Sequence, residues 1–358
     1  MSIDFLYLNE KDMIAAGVMD VAGCVEAMRE TMSLFGKKDF LLGGPKADEH
    51  GLQINFPATS DIEGFPLDDG PDRRFNAMPA YLGGKYHIAG QKFYGSNNHN
   101  LQKGLPRSIL MVTLNDVDTG APLAYMSANL LSAMRTGAMP AMAASYLARK
   151  DSKVLSLIGP GVINKCAFQC YMEVLPNIDT LKIRGSSVHS KSALNMKKFA
   201  EENYPQIKNI IICDSLEEAC RDSDVVSEAM SVTKQDMEEF KLEWFKKGVA
   251  VFSMGSFLVR DHESYLGTTM VADNYGMYEK YLKNFIARGP VDELGRKREW
   301  SIMGIDFVYL VNENKTERKN VLNLCDIVNG ISDGRTSDDE IVMCSIGGMP
   351  IEDLAWGY

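Results

Sequence analysis

Apolar residues between Val18 and Phe35 recur at helical spacing, and the run stops at Gly36, the kind of residue that commonly follows a helix C-terminus. The spacing predicts an N-terminal helix. A Gly-, Pro- and Asp-rich stretch follows, Gly43 to Asp72, and then three short alternating runs: Phe75 to Tyr81, Tyr86 to Phe93 and Ser108 to Leu114. Alternation is the period of strands with one buried face, so an antiparallel or mixed sheet is expected. Asn115-Asp116-Val117-Asp118-Thr119-Gly120 places Asp and Gly where a tight reversal into another strand needs them.

The pattern changes after Ser127. Ser127 to Ala148 is Ala-rich and predicts a helix, with a kink or a break into two segments at Pro140. The strand Lys153 to Ile158 runs into Gly159-Pro160-Gly161 and then a helical stretch, Asn164 to Leu175. A strand at Thr180 to Ile183, a helix at Ala193 to Asn203, a strand at Asn209 to Cys213, a helix from Leu216 and a strand at Val225-Val226 continue the alternation. Val249 to Phe252 and Thr269 to Val271 are its later strands. Leu322 to Leu354 mixes an apolar helix start, the turn Ser332-Asp333-Gly334 and a run, Glu340 to Ser345, that reads as a strand or a helix entry outside the sheet domain. The expected fold class is α/β: a Rossmann-type doubly wound parallel sheet domain, residues 127–305, inserted in a second, α+β domain made of residues 1–126 and 306–358.

Composition narrows the partners. A chain of 358 residues suggests about two domains, and 45% hydrophobic with 24% charged residues is ordinary for globular proteins. A net charge of -10 with a pI near 5.1 argues against nucleic acid, whose phosphates require clustered Lys and Arg. The longest uncharged apolar stretch, Ala121 to Met134, ends at Arg135 and is shorter than the ~20 residues of a membrane span, so no membrane partner is expected. Asp4, Glu10 and Asp12 precede any apolar run, unlike a signal peptide, and imply cytoplasmic residence. The seven cysteines form no Cys-x-x-Cys pair and read as reduced core thiols, including the closest, Cys166 and Cys170. Five histidines show no metal-ligand spacing, so no metal is expected, and a serine nucleophile elbow is absent.

Three places carry candidate chemistry. Gly159-Pro160-Gly161 after a buried strand lets backbone approach a pyrophosphate at a helix N-terminus, although the third position of the motif is Asn164 and such turns also occur structurally. At the end of the second strand the acid that normally holds the adenosine ribose is missing, and the chain reads Ile183-Arg184-Gly185-Ser186-Ser187. A cation with hydroxyls suits the 2′-phosphate of NADP; equally, Arg184 is solvated and the serines cap the next helix. Arg135 is a lone charge in an apolar helix and needs an anion: a substrate carboxylate, a cofactor phosphate or an internal Asp or Glu. Lys92 lies in the uncharged strand Ile88 to Phe93, with Lys46 upstream, and by spacing alone reads as a solvated edge lysine.

Together these residues resemble the ornithine cyclodeaminase and mu-crystallin family. The likeness runs in order through Met78-Pro79-Ala80-Tyr81, Gln91-Lys92-Phe93, Lys103-Gly104-Leu105-Pro106, Leu114-Asn115-Asp116, Thr119-Gly120-Ala121-Pro122-Leu123, Met134-Arg135-Thr136-Gly137-Ala138, the glycine turn, and Asp339-Glu340-Ile341 through Ser345-Ile346-Gly347 to Glu352-Asp353-Leu354-Ala355. The resemblance implies a homodimer whose first domain supplies the interface and binds substrate, and a Rossmann domain holding NADP or NAD, NADP slightly favoured. It implies that Lys92, the catalytic candidate, and Arg135 hold the substrate carboxylate, and that Lys46 joins them where the family commonly has Arg. The dinucleotide residues it implies are Arg135, Thr136, Gly159, Gly161, Val162, Ile163, Arg184, Ser186, Ser187, Glu228, Met254 and Ser345. Three departures stand out. Met254-Gly255-Ser256-Phe257 lacks the Asp of cyclodeaminases, with Asp261 several residues on; Ser227-Glu228-Ala229-Met230 replaces a small Thr-Pro-Ser type sequence; and Arg107 replaces a Thr. The expectation is an NAD(P)-dependent imine or ketimine reductase or amino acid dehydrogenase acting on a small imino or amino acid. The alternatives are a non-catalytic nucleotide- or ligand-binding protein or subunit and, third, an amino acid cyclodeaminase.

Overall fold

A computed structural model describes residues 3–47, 50–67, 73–231, 237–291 and 297–358. The chain divides into two compact units, Met1–Arg135 with Met349–Tyr358, and Thr136–Gly348. In the first unit strand β1 (Leu6–Leu8) and helix α1 (Glu10–Ala15) precede α2 (Val21–Gly36), which Asp20 caps by accepting a hydrogen bond from the Gly23 N–H. Strands β2 (Phe40–Leu42), β3 (Leu52–Asn55), β4 (Arg74–Leu82), β5 (Ile88–Ser96), β6 (Ser108–Asp116) and β7 (Pro122–Ser127) then form a mixed sheet with β1. Its order is β1-β7-β6-β5-β4-β2, and β3 pairs with β4 beside β2. Every pair is antiparallel except β1 with β7.

Helix α3 (Asn129–Leu147) runs through Pro140 as one helix; the kink or break expected there is not a division into two elements. The second unit then alternates β8 (Val154–Ile158), α4 (Val162–Val174), β9 (Thr180–Arg184), α5 (Lys191–Asn203), β10 (Asn209–Ile212), α6 (Leu216–Cys220), β11 (Val225–Glu228), β12 (Ala250–Ser253) and β13 (Thr269–Ala272). Helices α7 (Tyr275–Ala287) and α8 (Met303–Asn312), strand β14 (Val321–Asn323), helix α9 (Leu324–Val328) and strand β15 (Val342–Ser345) complete it. All eight strands are parallel, in the order β10-β9-β8-β11-β12-β15-β13-β14, the doubly wound sheet that the sequence pattern predicts.

One expectation is corrected here. The expected boundaries place residues 306–348 with the first domain and 127–135 with the inserted one, yet β15 lies between β12 and β13 in the interior of the parallel sheet, the return to the first unit comes at Met349, and the first unit runs on to Arg135. β15 is buried along its whole length, so it shows an unbroken apolar run rather than an alternation that would mark it as a strand. Helix α10 (Pro350–Gly357) is the part of the C-terminal segment that belongs to the first unit, where it packs on α2 and on β4, β5 and β6. All seven cysteines are buried, and none is in a disulfide. Among the described residues, no helix is long and apolar enough to cross a membrane.

Candidate active site

Pleating decides where Lys92 goes. Leu8, Met126, Val112, Lys92 and Met78 lie directly across from one another through β1, β7, β6, β5 and β4, and residues paired in this way share one face of a sheet. Met126, Val112 and Met78 are buried, so the register carries the Lys92 ammonium into the core face and not to a solvated edge. Two residues earlier on that face, Gly90 lets α10 lie close: a Cβ there would stand 2.1 Å from the Thr113 carbonyl oxygen and 2.9 Å from Leu354 Cδ2. The first turn of α10 thereby brings Glu352 and Asp353 over Lys92, both carboxylates being fully buried.

The start of α3 is fixed by Asn129, whose amide accepts from the Leu110 N–H at 2.9 Å and donates to the Ser108 carbonyl at 2.8 Å. One and two turns on, Ser132 and Arg135 reach the same spot. Lys92 Nζ donates to Ser132 Oγ at 2.8 Å and to Asp353 Oδ2 at 3.2 Å. Arg135 donates through Nε to Asp353 Oδ1 at 3.1 Å and through Nη1 to Glu352 Oε2 at 2.6 Å, with Nη2 3.0 Å from Asp353 Oδ2. Glu352 Oε1 also accepts from the Met349 N–H at 3.1 Å, tying the cluster to the helix start. Two cations and two carboxylates thus meet in a buried, neutral cluster. Burial, and then the charge of Arg135, push Lys92 down to about 8 from its usual 10.5, against the pull of Asp353. Burial opposes the charge on Arg135 too, but Asp353 and Glu352 outweigh it and hold its pKa up. A protonated lysine has three N–H donors, and the described partners of Lys92 take two. Lys46 is exposed on the turn after β2, and the structure shows no contact between it and this cluster.

In the second unit the glycine turn is built for close approach. Gly159 has φ +77° and a Cβ on it would stand 2.8 Å from the Ala229 carbonyl oxygen, so both its conformation and its neighbour require glycine. Gly161 is the N-cap of α4, with no side-chain cap, and a Cβ there would meet open space. Val162 is exposed and Ile163 half-buried, so the helix start presents uncapped N–H groups as a cradle that fits a pyrophosphate. Asn164, the departure from the glycine motif, is a buried brace. Its Nδ2 donates to the carbonyls of Ile158, Gly159 and Ser227 at 2.8, 3.0 and 3.3 Å, and its Oδ1 accepts from Ser227 Oγ at 2.7 Å.

Arg184 ends β9 beside this turn and is not solvated: its Nη1 donates to the Gly185 carbonyl, and its Nη2 lies 3.3 Å from Glu238 Oε1. Ser186 and Ser187 are exposed, and the cap of α5 is Ser190, so the serines do not cap that helix. Glu228 is fully buried at the end of β11 and accepts from the N–H groups of Met230, Gly255 and Ser256 at 2.5, 3.2 and 3.0 Å and from Ser253 Oγ at 2.8 Å. Burial raises it to about 7, against those hydrogen bonds. Its role in the fold is to clamp the ends of β11 and β12. Met254 sits half-buried in the loop so clamped, and Ser345, buried at the end of β15, accepts from the Gly304 N–H at 2.9 Å. Thr136, half-buried on α3, opens the second unit.

The model of the ornithine cyclodeaminase/mu-crystallin family matches residues 18–358. The chain belongs to this family. Its relatives include the N-((2S)-2-amino-2-carboxyethyl)-L-glutamate dehydrogenase of Staphylococcus aureus, 26% identical over 360 residues, covering 100% of this chain and 95% of the relative. The alanine dehydrogenase of Archaeoglobus fulgidus is 30% identical over 286 residues, 78% of this chain and 77% of its own. In fold the chain resembles the Delta(1)-pyrroline-2-carboxylate reductase of Thermococcus litoralis, solved with NADH and L-proline: TM-score 0.74, 24% identity, 99% of this chain and 97% of that one. In this family member, reasoning from sequence missed Ser132, Glu352, Asp353 and Glu238 as partners of the predicted cations. The signal for two of them is present: Glu352 and Asp353 interrupt an apolar run, Met349 to Ala355, just as Arg135 interrupts its own.

Proposed function

We propose that this chain is an oxidoreductase that transfers a hydride between a nicotinamide dinucleotide and a small imino or amino acid, with Lys92 and Arg135 taking the substrate carboxylate. The observation that carries this reading is the buried Lys92 ammonium, held by Ser132 and Asp353 with a third N–H left over among the described residues. A desolvated cation with a spare donor is a site for an anion or for proton delivery near neutral pH. The dinucleotide, when bound, supplies or accepts the hydride. In this reading Gly159, Gly161 and the uncapped start of α4 would hold its pyrophosphate, and Arg184, Ser186 and Ser187, at and after the end of β9, would face its adenosine end.

A homodimer is part of the proposal. The outer face of the first sheet carries Tyr7, Leu41, Ile54, Phe75, Ile109 and Leu123, each at least 40% exposed, across six strands. An apolar face of that breadth suits burial against a second copy. One observation favours a second reading, ligand binding without turnover: the cluster around Lys92 is already neutral without a substrate. Mixing the protein with NADH or NADPH and a panel of cyclic and linear imino acids decides between them. Oxidation of the reduced cofactor, followed at 340 nm and lost in Lys92→Met, is the expected result; saturable binding with no oxidation across the panel favours the second reading.

A further inference from the structure

In the doubly wound fold the end of the strand after the glycine turn normally presents an acid to the adenosine ribose hydroxyls. Here that strand ends in a cation, Arg184, and none of Gly185, Ser186 or Ser187 is acidic. An acid nevertheless stands at this position. Glu238, from the segment between β11 and β12 and 54 residues on, places Oε1 and Oε2 at 3.3 and 3.4 Å from Arg184 Nη2. The arginine side chain is 8% exposed, whereas that of Glu238 is 55% exposed, so the carboxylate is the accessible member of the pair.

The segment that carries Glu238 is fixed immediately after it. Glu239 forms a parallel bridge with Leu258 and pairs with Arg260 at 3.1 Å, and the Phe240 ring stacks on Phe257 with centroids 4.0 Å apart. We infer that Glu238 replaces the missing strand-end acid as acceptor for the ribose hydroxyls, with Arg184 as the positioning residue that holds it, and that the chain therefore selects NAD(H) over NADP(H). This rests on the nicotinamide reading above. It reverses the sequence expectation for Arg184, because its charge is already engaged by Glu238. A carboxylate has about four acceptor sites and the guanidinium uses two, which leaves acceptors for two hydroxyls. A 2′-phosphate carries nearly two negative charges and would have to displace Glu238 from its only cation among the described residues.

Dissociation constants for NADH and NADPH, measured by nicotinamide fluorescence on the full chain, test this without turnover. Wild-type protein is expected to bind NADH about tenfold tighter than NADPH or better. Glu238→Gln frees Arg184 and should move the ratio of the two constants about tenfold or more toward NADPH, while Glu238→Asp keeps the wild-type order. Thermal unfolding of each variant confirms that it is folded. A wild-type preference for NADPH, or a ratio that Glu238→Gln leaves unchanged, overturns the assignment of Glu238 while the nicotinamide reading stands. Binding of neither cofactor to wild-type protein overturns both.

Discussion

Asp353 is the side chain on which both cations of the buried cluster, Lys92 and Arg135, converge, so its charge is the one whose loss is felt most. Asp353→Asn leaves Lys92 and Arg135 buried against a single carboxylate, Glu352, and breaking a buried pair in this way costs about 3–5 kcal/mol. Urea unfolding should show that loss. The variant has a second signature. Because Asp353 raises the pKa of Lys92, its removal moves that pKa from about 8 to a lower value. If the charged lysine holds the substrate anion, kcat/KM of the wild type falls as pH rises through about 8, and the fall begins at lower pH in Asp353→Asn. A falling limb in the same place in both proteins would mean that Lys92 is not the titrating group. Arg135 was legible in the sequence because a lone charge in an apolar helix demands an anion. Its partners were not, since nothing local to residue 135 says that the acids lie 217 and 218 residues away.

At the scale of elements, the alternation of strands with turns and helices made the first six parallel strands, β8 to β13, legible, and the period of two made β4, β5 and β6 legible. What sequence did not carry was the place of β15, whose neighbours β12 and β13 precede it by about seventy residues or more and whose side chains are buried on both faces. Nor did it carry the meaning of Asn164, which looks like damage to a glycine motif. The structure makes it the tie between the glycine turn and β11, so Asn164→Ala takes the acceptor of the buried Ser227 Oγ and one donor from the Ile158 and Gly159 carbonyls, which keep the N–H groups of Ala229 and Gly161. An unsatisfied buried group costs about 1–3 kcal/mol, and a fall in stability of that size is expected. Calorimetry would show it, together with weaker dinucleotide binding. Asn164→Ala at wild-type stability would show that the glycine turn holds its shape unaided.

For the whole molecule, the exposed apolar face of the first sheet predicts that one copy is half of the working unit. Ile109 and Leu123, on β6 and β7, are 45% and 44% exposed, so acidic side chains there are tolerated by a single chain and repelled in an apolar interface. Ile109→Glu with Leu123→Glu should sediment as a monomer with an unchanged circular dichroism spectrum; a persistent dimer would place the interface elsewhere. The separation of 261 residues between Lys92 and Asp353 bears on how such a chain is made. During translation the first sheet and the start of α3 emerge before α10, the inner face bare and Lys92 and Arg135 without counter-ions. The carboxylate that pairs with Lys92 is made 261 residues after it. Contacts of this range are slow to close. The first sheet therefore reaches its final form late, and until then its inner face is apolar surface of the kind that makes a folding chain prone to aggregate.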